Sequence, residues 1–370
     1  MNMMPIPSVG CAVHTDTLSM VRTAHPTRLD PINFQLVNDW QRNFPLTTRP
    51  YAEMAQRLGM TETEIIDRLH ALTADGTISR IGAVFRPHAL GWSTLAAVAA
   101  PEHRIEAVAQ VINSYTEVNH NYEREHAFNL WFVATAPSRE RVEAVLAEIG
   151  QAAGSPVLNL PMLEDFHIDL GFDLRTGASQ AGHQRRPHLD PARRRQEAAT
   201  PPALEAADYA LAAALEGGIT LSARPYAVLA TRLGSHEEAI LLRLQRLLKL
   251  GVIRRFGVVV RHRELGYDAN AMVVWDVPDN IVSDVGHQLA SQSAVTLCYR
   301  RPRSLPHWRF NLFSMLHGQN RAAVLAEIER IRESLGLQHI ACQPLFSHRR
   351  FKQCGARYSP AAKKEQAIAA

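Results

Sequence analysis

The sequence predicts an α+β protein built as a tandem duplication. Each copy is a winged helix-turn-helix followed by a ferredoxin-like βαββαβ block. Three observations carry this. Arg49-Pro50-Tyr51-Ala52 returns as Arg224-Pro225-Tyr226-Ala227, Gly59 as Gly234, and Gly76-x-Ile78-x-Arg80-x-Gly82 as Gly251-x-Ile253-x-Arg255-x-Gly257, all 175 positions apart. That period is far above those of solenoid repeats and marks the duplication of a whole unit. Each copy opens with short stretches of helical apolar spacing and a strand-like run. Each then reads strand, helix, strand, strand, helix, strand.

Residues 1-29 are rich in Pro, Ser and Thr without periodicity, the composition of a disordered segment. From Asp30, Ile32, Leu36, Val37, Trp40 and Phe44 mark the apolar face of a first helix. Tyr51, Met54, Ala55 and Leu58 mark a second, and Ile65, Leu69 and Leu72 a third. Thr61 and Glu64 have capping-box spacing at the start of the third helix, and Gly76 ends it. Thr77–Phe85 is the wing, which completes a winged unit over 30-88.

The first ferredoxin-like domain (89-172) follows. It has a strand near Thr94–Ala100, a helix Ile105–Ser114, strands Glu117–Tyr122 and Phe128–Thr135, a helix Arg139–Gly150 and a last strand after Pro156. A linker rich in Gln, Arg and Pro spans 173-202, and the second winged unit spans 203-263. The second ferredoxin-like domain (264-355) repeats the order with Ala269–Val277, Ile281–Ser291, Val295–Arg300, Phe310–His317, Arg321–Leu335 and His339–Phe346, leaving a tail at 356-370.

Composition narrows the class. With 370 residues, 46% hydrophobic and 21% charged, the chain has the make-up of a multi-domain globular protein. Its formal charge of +4 gives no global field for nucleic acid. The four cysteines form no CxxC pair, which argues against a zinc site or a disulfide framework. No apolar run reaches membrane-span length, and the first thirty residues lack a signal-peptide pattern. A cytoplasmic setting without membrane partners is expected.

The stretch richest in chemistry is Val295–Gly318. Two strands flank a loop carrying Arg300, Arg301 and Arg303 around Pro302, with Trp308 beside them. Its counterpart, Val118–Thr135, keeps Tyr122, Arg124 and the pair Asn129-Leu130. Neighbouring guanidiniums repel unless anions sit among them. Two such elements point to a pocket for a flat, polyanionic ligand.

Winged helix-turn-helix plus βαββαβ is the architecture of the Lrp/AsnC regulators, and this chain resembles two such units fused. Ile253-Arg254-Arg255-Phe256-Gly257, Arg261-His262 before Leu265-Gly266-Tyr267, Val273-Val274-Trp275-Asp276-Val277-Pro278, Leu297-Cys298-Tyr299-Arg300-Arg301-Pro302 and Trp308-x-Phe310-Asn311-Leu312-Phe313 are similar to the siroheme decarboxylases of the Nir/Ahb family. The second half is NirL-like. The first half, with Asn119-His120-Asn121-Tyr122-Glu123-Arg124, is NirD-like. The resemblance implies removal of CO2 from the acetate side chains at positions 12 and 18 of siroheme in heme d1 biosynthesis. It also implies no cofactor beyond the substrate's own iron tetrapyrrole. One departure is visible. Several relatives carry His before the Cys-Tyr; the second half has Leu297 there, while the first half has His120.

A carboxylate-fringed macrocycle needs guanidinium forks and flat walls. Arg80, Arg86, Arg124, Arg254, Arg255, Arg261, Arg300, Arg301 and Arg303 supply the forks; Tyr122, Tyr299 and Trp308 supply surfaces; Asn311 adds an amide. Decarboxylation also needs an acid near neutral pH, which suits imidazole. His120 is the first candidate, also as an axial ligand to the substrate iron, followed by Tyr122, His262 and His317. The plainer readings place the wing arginines in solvent, Trp131 and Trp275 in the core, His317 as a satisfied buried imidazole, and Asn129 and Asn311 in turn chemistry. A DNA-binding regulator is the rival function, and a non-catalytic heme-type sensor is another. Glutamates at the start of both candidate recognition helices, Glu62 and Glu64 then Glu237 and Glu238, count against DNA. A homodimer or association with related decarboxylase subunits is expected.

Overall fold

The computed structural model describes residues 29–168, 171, 174, 203–261 and 269–358. His262 and most of the expected linker and termini lie outside them.

The first helical unit comprises α1 (Pro31–Asn38), α2 (Pro50–Leu58) and α3 (Glu62–Ala74). The Asp30 carboxylate caps α1 by accepting the Ile32 and Asn33 N–H groups, and Thr61 with Glu64 forms the expected capping box on α3. The wing is β1 (Ile78–Phe85). Next come β2 (Trp92–Val98), α4 (Ile105–Ser114), β3 (Val118–Arg124), β4 (Leu130–Ala136), α5 (Arg139–Ala153), β5 (Val157–Pro161) and β6 (Glu164–Ile168). The second copy supplies α6 (Ala206–Ala214), α7 (Pro225–Arg232), α8 (Glu237–Lys249), β7 (Ile253–Val260), β8 (Ala269–Asp276), α9 (Val282–Ala290), β9 (Val295–Arg300), β10 (Leu312–Gly318), α10 (Arg321–Ser334) and β11 (Ala341–Gln353).

The copies are interlocked. Wings β1 and β7 pair antiparallel, with Gly82 opposite Gly257. Each wing also bonds the other copy's helical unit: Val258 N–H donates to the Trp40 carbonyl, and Ile219 N–H to the Ile81 carbonyl, both at 2.8 Å. The repeated glycine is explained by this approach. A Cβ at Gly257 would stand 2.3 Å from the Trp40 carbonyl oxygen. Tyr51 and Tyr226 anchor the shared core, and the Tyr226 hydroxyl donates to the Pro45 carbonyl at 2.9 Å.

The remaining strands form one nine-stranded sheet in the order β5-β2-β4-β3-β11-β8-β10-β9-β6. The last strand of each copy begins on its own sheet and finishes on the other. β5 pairs with β2, then β6 pairs with β9; the first part of β11 pairs with β8, its second part with β3. β5 and β6 stand at opposite ends of the order yet are separated only by Met162 and Leu163. Two residues reach on the order of 10 Å, so the sheet must curl until its edges meet. Helices α4 and α5 cover one module's outer face, and α9 and α10 the other's. The inner face is lined by Leu95, Trp131, Tyr299, Trp308, Phe313 and Leu345.

The strand exchange is the main departure from the sequence expectation, which ended the last strand at Phe346 and placed no strand at 164–168. The continuation Ser347–Gln353 is polar, and its partner is His120–Arg124 of the other copy. No local alternation announces such a pairing.

Candidate active site

Strand alternation sets the faces of β3. Asn121 points to the helices and donates to the Ala109 carbonyl, whereas His120, Tyr122 and Arg124 share the inner face. The His120 and Tyr122 rings lie near parallel with centroids 6.3 Å apart, and the Arg124 guanidinium sits 5.6 Å over the Tyr122 ring. His120 Nδ1 faces Asn119 Oδ1, and Asn119 is itself fixed by donating to Thr135 Oγ1 at 2.9 Å. That amide oxygen calls for the proton on Nδ1 and leaves Nε2 as the lone-pair nitrogen. Burial, with the Arg80 charge behind it, holds the His120 pKa down to about 4.

His317 lies across the same face. Its Nδ1 bonds the Asn270 amide oxygen, and burial with the Arg124 charge holds its pKa to about 4 as well. The structure therefore brings Arg80, His120, Tyr122, Arg124 and His317 into one row. Both imidazoles are neutral near pH 7. Arg80 donates to the Ala83 carbonyl at 3.2 Å, its Nε is sealed without a partner, and among the described residues no carboxylate stands within ion-pair distance of it. Burial depresses its guanidinium pKa.

The repeat places a second, different row on β9. Leu297, Tyr299 and Arg301 occupy the positions of His120, Tyr122 and Arg124. Arg301 is buried, lies 4.5 Å over the Tyr299 ring and donates to the Leu160 carbonyl, as Arg124 does to Leu345. Its Nε is also sealed without a partner. Arg255, the counterpart of Arg80, is held by the Gln41 and Val258 carbonyls. Arg254 pairs with Asp165. A buried cation without a carboxylate partner costs several kcal/mol, so the faces carrying Arg80 and Arg301 favour an anion.

Other expected site residues are engaged within the protein. Arg303 pairs with Asp276 and donates to the Val277 carbonyl at 2.6 Å, and Arg300 lies 3.8 Å from Asp279. These carboxylates answer the repulsion expected of the arginine loop. Asn311 gives both ends of its amide to the Val277 backbone, as Asn129 does to Ala100. Trp308 is 1% exposed and packs on Trp131 with centroids 5.0 Å apart. Arg261 donates to the Gly76 carbonyl at 3.3 Å, and Arg86 is half-buried beside the wing.

Sequence reasoning missed a cleft of about 670 Å³ lined by His88, Trp92, Arg139, Tyr209 and Tyr358 among others. His88 adopts a left-handed φ of +61° and its ring lies 4.5 Å from Trp92; both ring nitrogens are sealed without partners. Burial and then Arg301 lower its pKa, while Asp165 opposes. The available signal is Leu90-Gly91, which recurs 175 positions on as Leu265-Gly266 and flags this loop without flagging His88.

The helices expected to read DNA start with acids. Glu62 and Glu237 each pair with the arginine preceding the unit's second helix, Arg49 and Arg224. Among the described residues, no helix is long and apolar enough to cross a membrane.

Comparisons with known proteins agree with this layout. Residues 34–78 and 208–254 match the siroheme decarboxylase NirDL-like HTH domain, and residues 89–167 and 264–352 the AsnC-like ligand binding domain. The chain is 41% identical over 330 residues to the siroheme decarboxylase NirDL subunit of Paracoccus pantotrophus, covering 89% of this chain and 97% of that one. It is 48% identical over 146 residues to the siroheme decarboxylase NirD subunit of Pseudomonas aeruginosa, covering 40% and 97%. A crystal structure of the siroheme decarboxylase NirDL superposes with a TM-score of 0.62 at 27% identity, covering 88% of this chain and 93% of that chain. The same enzyme in co-complex with an iron-uroporphyrin III analogue gives 0.61 over the same shares.

Proposed function

The chain belongs to the siroheme decarboxylase family, and from that premise we propose that siroheme seats against the β3 row and loses CO2 from its acetates at positions 12 and 18. The product is 12,18-didecarboxysiroheme, on the route to heme d1. The observation that carries this reading is the row itself: two neutral imidazoles interleaved with Arg80, Arg124 and a tyrosine face.

Arg80 and Arg124 clamp carboxylates that do not react, because a tight fork on the scissile group would stabilise the ground state and slow its loss. That grip holds a reactive acetate, ionised and poorly paired, beside an imidazole. As the C–C bond breaks, CO2 departs and the electron pair remains on the methylene carbon, delocalised into the macrocycle. A proton from imidazolium Nε2 converts that carbon to methyl. His120 is neutral in the free chain, so the proton must come with the substrate. Incoming carboxylates offset the Arg80 charge and raise the His120 pKa, which couples proton uptake to binding. His317, beyond Arg124, serves the second acetate in the same way, with the Tyr122 face between them. No cofactor beyond the substrate's iron tetrapyrrole is invoked.

Siroheme is the partner of the site. NirD-named subunits among the relatives favour association with further decarboxylase subunits or a second copy. The absence of a long apolar helix among the described residues and the acidic starts of α3 and α8 favour a cytoplasmic enzyme over a membrane protein or an operator-binding regulator. Anaerobic incubation with siroheme followed by product mass tests the proposal. Loss of two CO2 is expected; spectral binding with unchanged mass would point to a sensor.

A further inference from the structure

The β3 row has a neighbouring strand that belongs to the other copy. The second part of β11 pairs with β3, and directly opposed residues of an antiparallel pair share a face. Ser347 stands opposite Arg124, Arg350 opposite Tyr122 and Gln353 opposite His120. The intervening residues turn to the helices. Arg349 pairs with Glu123 and, at 3.0 Å, with Glu106 of α4. Lys352 donates to the Asn113 and Tyr115 carbonyls at the end of α4, both at 2.8 Å. Phe351, the extra residue at an irregularity in the register, packs on the same helical core. Of Arg349, Arg350 and Lys352, only Arg350 therefore shares the face of His120 and Tyr122. Its Nη1 donates to Gln353 Oε1 at 3.2 Å, and a neutral amide orients the fork without cancelling its charge.

From this register we infer that Arg350, supplied by the second copy, is a substrate-binding residue of the first copy's site. It holds a tetrapyrrole carboxylate that is not lost, and Gln353 positions it. The inference rests on the decarboxylase reading above. The macrocycle is wider than the ~4.8 Å between neighbouring strands, so a ring lying against Tyr122 also meets β11. Arg350 is half-buried, which leaves it within reach of a ligand on that face. A guanidinium takes a carboxylate through two parallel hydrogen bonds. The same grip on the departing acetate would slow its loss, so the fork belongs on a group that stays.

The strand laid beside the β9 row carries the opposite charge. β6 meets β9 as β11 meets β3, with Asp165 opposite Tyr299 and Ile168 opposite Leu297. Phe166 and Phe351 are the extra residues at matching irregularities, and each packs on its module's helical core. The two pairings are thus in register, and Asp165 occupies the place of Arg350. Asp165 pairs with Arg254 of the wing. A carboxylate at that place repels a carboxylate-fringed rim, whereas a guanidinium attracts it. The exchanged strands thereby direct the polyanion to the β3 row.

The test titrates siroheme, and separately its twice-decarboxylated product, into the full chain without oxygen, following the absorbance of the pigment. Arg350→Gln should weaken both ligands about 10- to 100-fold, the scale of hydrogen bonds to a charged group, and melt like the parent. Arg349→Gln, one residue away on the helix side, should change either affinity by less than about threefold. Parental binding in Arg350→Gln, or equal effects of the two substitutions, would overturn the inference. So would weaker siroheme binding with unchanged product binding, which would put Arg350 on the departing acetate. Should Arg350→Gln fail to fold, Arg350→Lys decides. It keeps the charge without the fork and should bind about three- to tenfold more weakly; parental affinity there would overturn the inference. An unaltered chain that binds siroheme yet releases no CO2 would instead sink the decarboxylase reading itself.

Discussion

The two inner rows of the curled sheet descend from one unit and have diverged in one respect. The arginine and tyrosine parts are kept on both: Arg80 and Arg255, Tyr122 and Tyr299, Arg124 and Arg301, each with the same kind of carbonyl or ring partner. The strand imidazole at the start of the row occurs on one. His120 corresponds to Leu297 across the repeat, and His317 to Thr135. A shared scaffold with the same arginine and tyrosine chemistry thus carries an imidazole at that strand position on one row and an aliphatic side chain on the other, the difference on which the proposed mechanism turns. The β9 row also lies beside the Arg254–Asp165 pair and His88, with a carboxylate nearby.

The largest expected contrast is between His120→Ala and Leu297→Ala. The first should lower kcat for siroheme decarboxylation by about 10²–10⁴ while sparing binding; the second should change it less than threefold. Product mass against time measures both, and equal losses would erase the distinction between the rows. Next comes the grip. Arg80→Met should raise KM about 10- to 100-fold, since a hydrogen bond to a charged group is worth about 1.5–3 kcal/mol. The apo melting temperature should hold or rise, because a poorly compensated cation is removed.

The pH dependence of stability should follow the two imidazoles. Their folded pKa values of about 4 lie below the unfolded value of about 6.5, so the unfolded chain binds more protons between these limits. Stability is then full above pH 6.5 and falls as pH drops toward 4, by about 1–3 kcal/mol for each histidine. Melting curves across that range test this. His317→Asn should flatten the decline, and an unchanged slope would remove His317 from the account. The smallest effect is expected at the half-exposed Arg254–Asp165 pair. Asp165→Asn should shift stability by less than about 1 kcal/mol and leave kcat unchanged, which steady-state kinetics would show.

Much of the fold was legible because the duplication repeats its local signals. The Thr61–Glu64 box, the apolar spacing of α2 and α3 and the glycine of each wing recur or have plain local causes. The exchange of β6 and the second part of β11 was not legible, because their partners belong to the other copy. The site was legible in part for the same reason. His120, Tyr122 and Arg124 alternate on one strand, so their common face follows from spacing alone. That His317 joins them depends on β8 and β11 lying between. Arg303 and Asn311 looked like ligand groups because Asp276, Asp279 and the Val277 backbone, which engage them, are distant in sequence. Tyr358 sat in what read as a tail; its N–H bonds the Glu216 carboxylate and its ring packs on Phe85, partners distant in sequence.

A crystal structure of the chain with siroheme, grown without oxygen, tests the central claim most directly. The account predicts the macrocycle over Tyr122, with carboxylates on Arg80 and Arg124 and an acetate beside His120 Nε2. A ring seated only against Tyr299 and Leu297, with the β3 row empty, would contradict it.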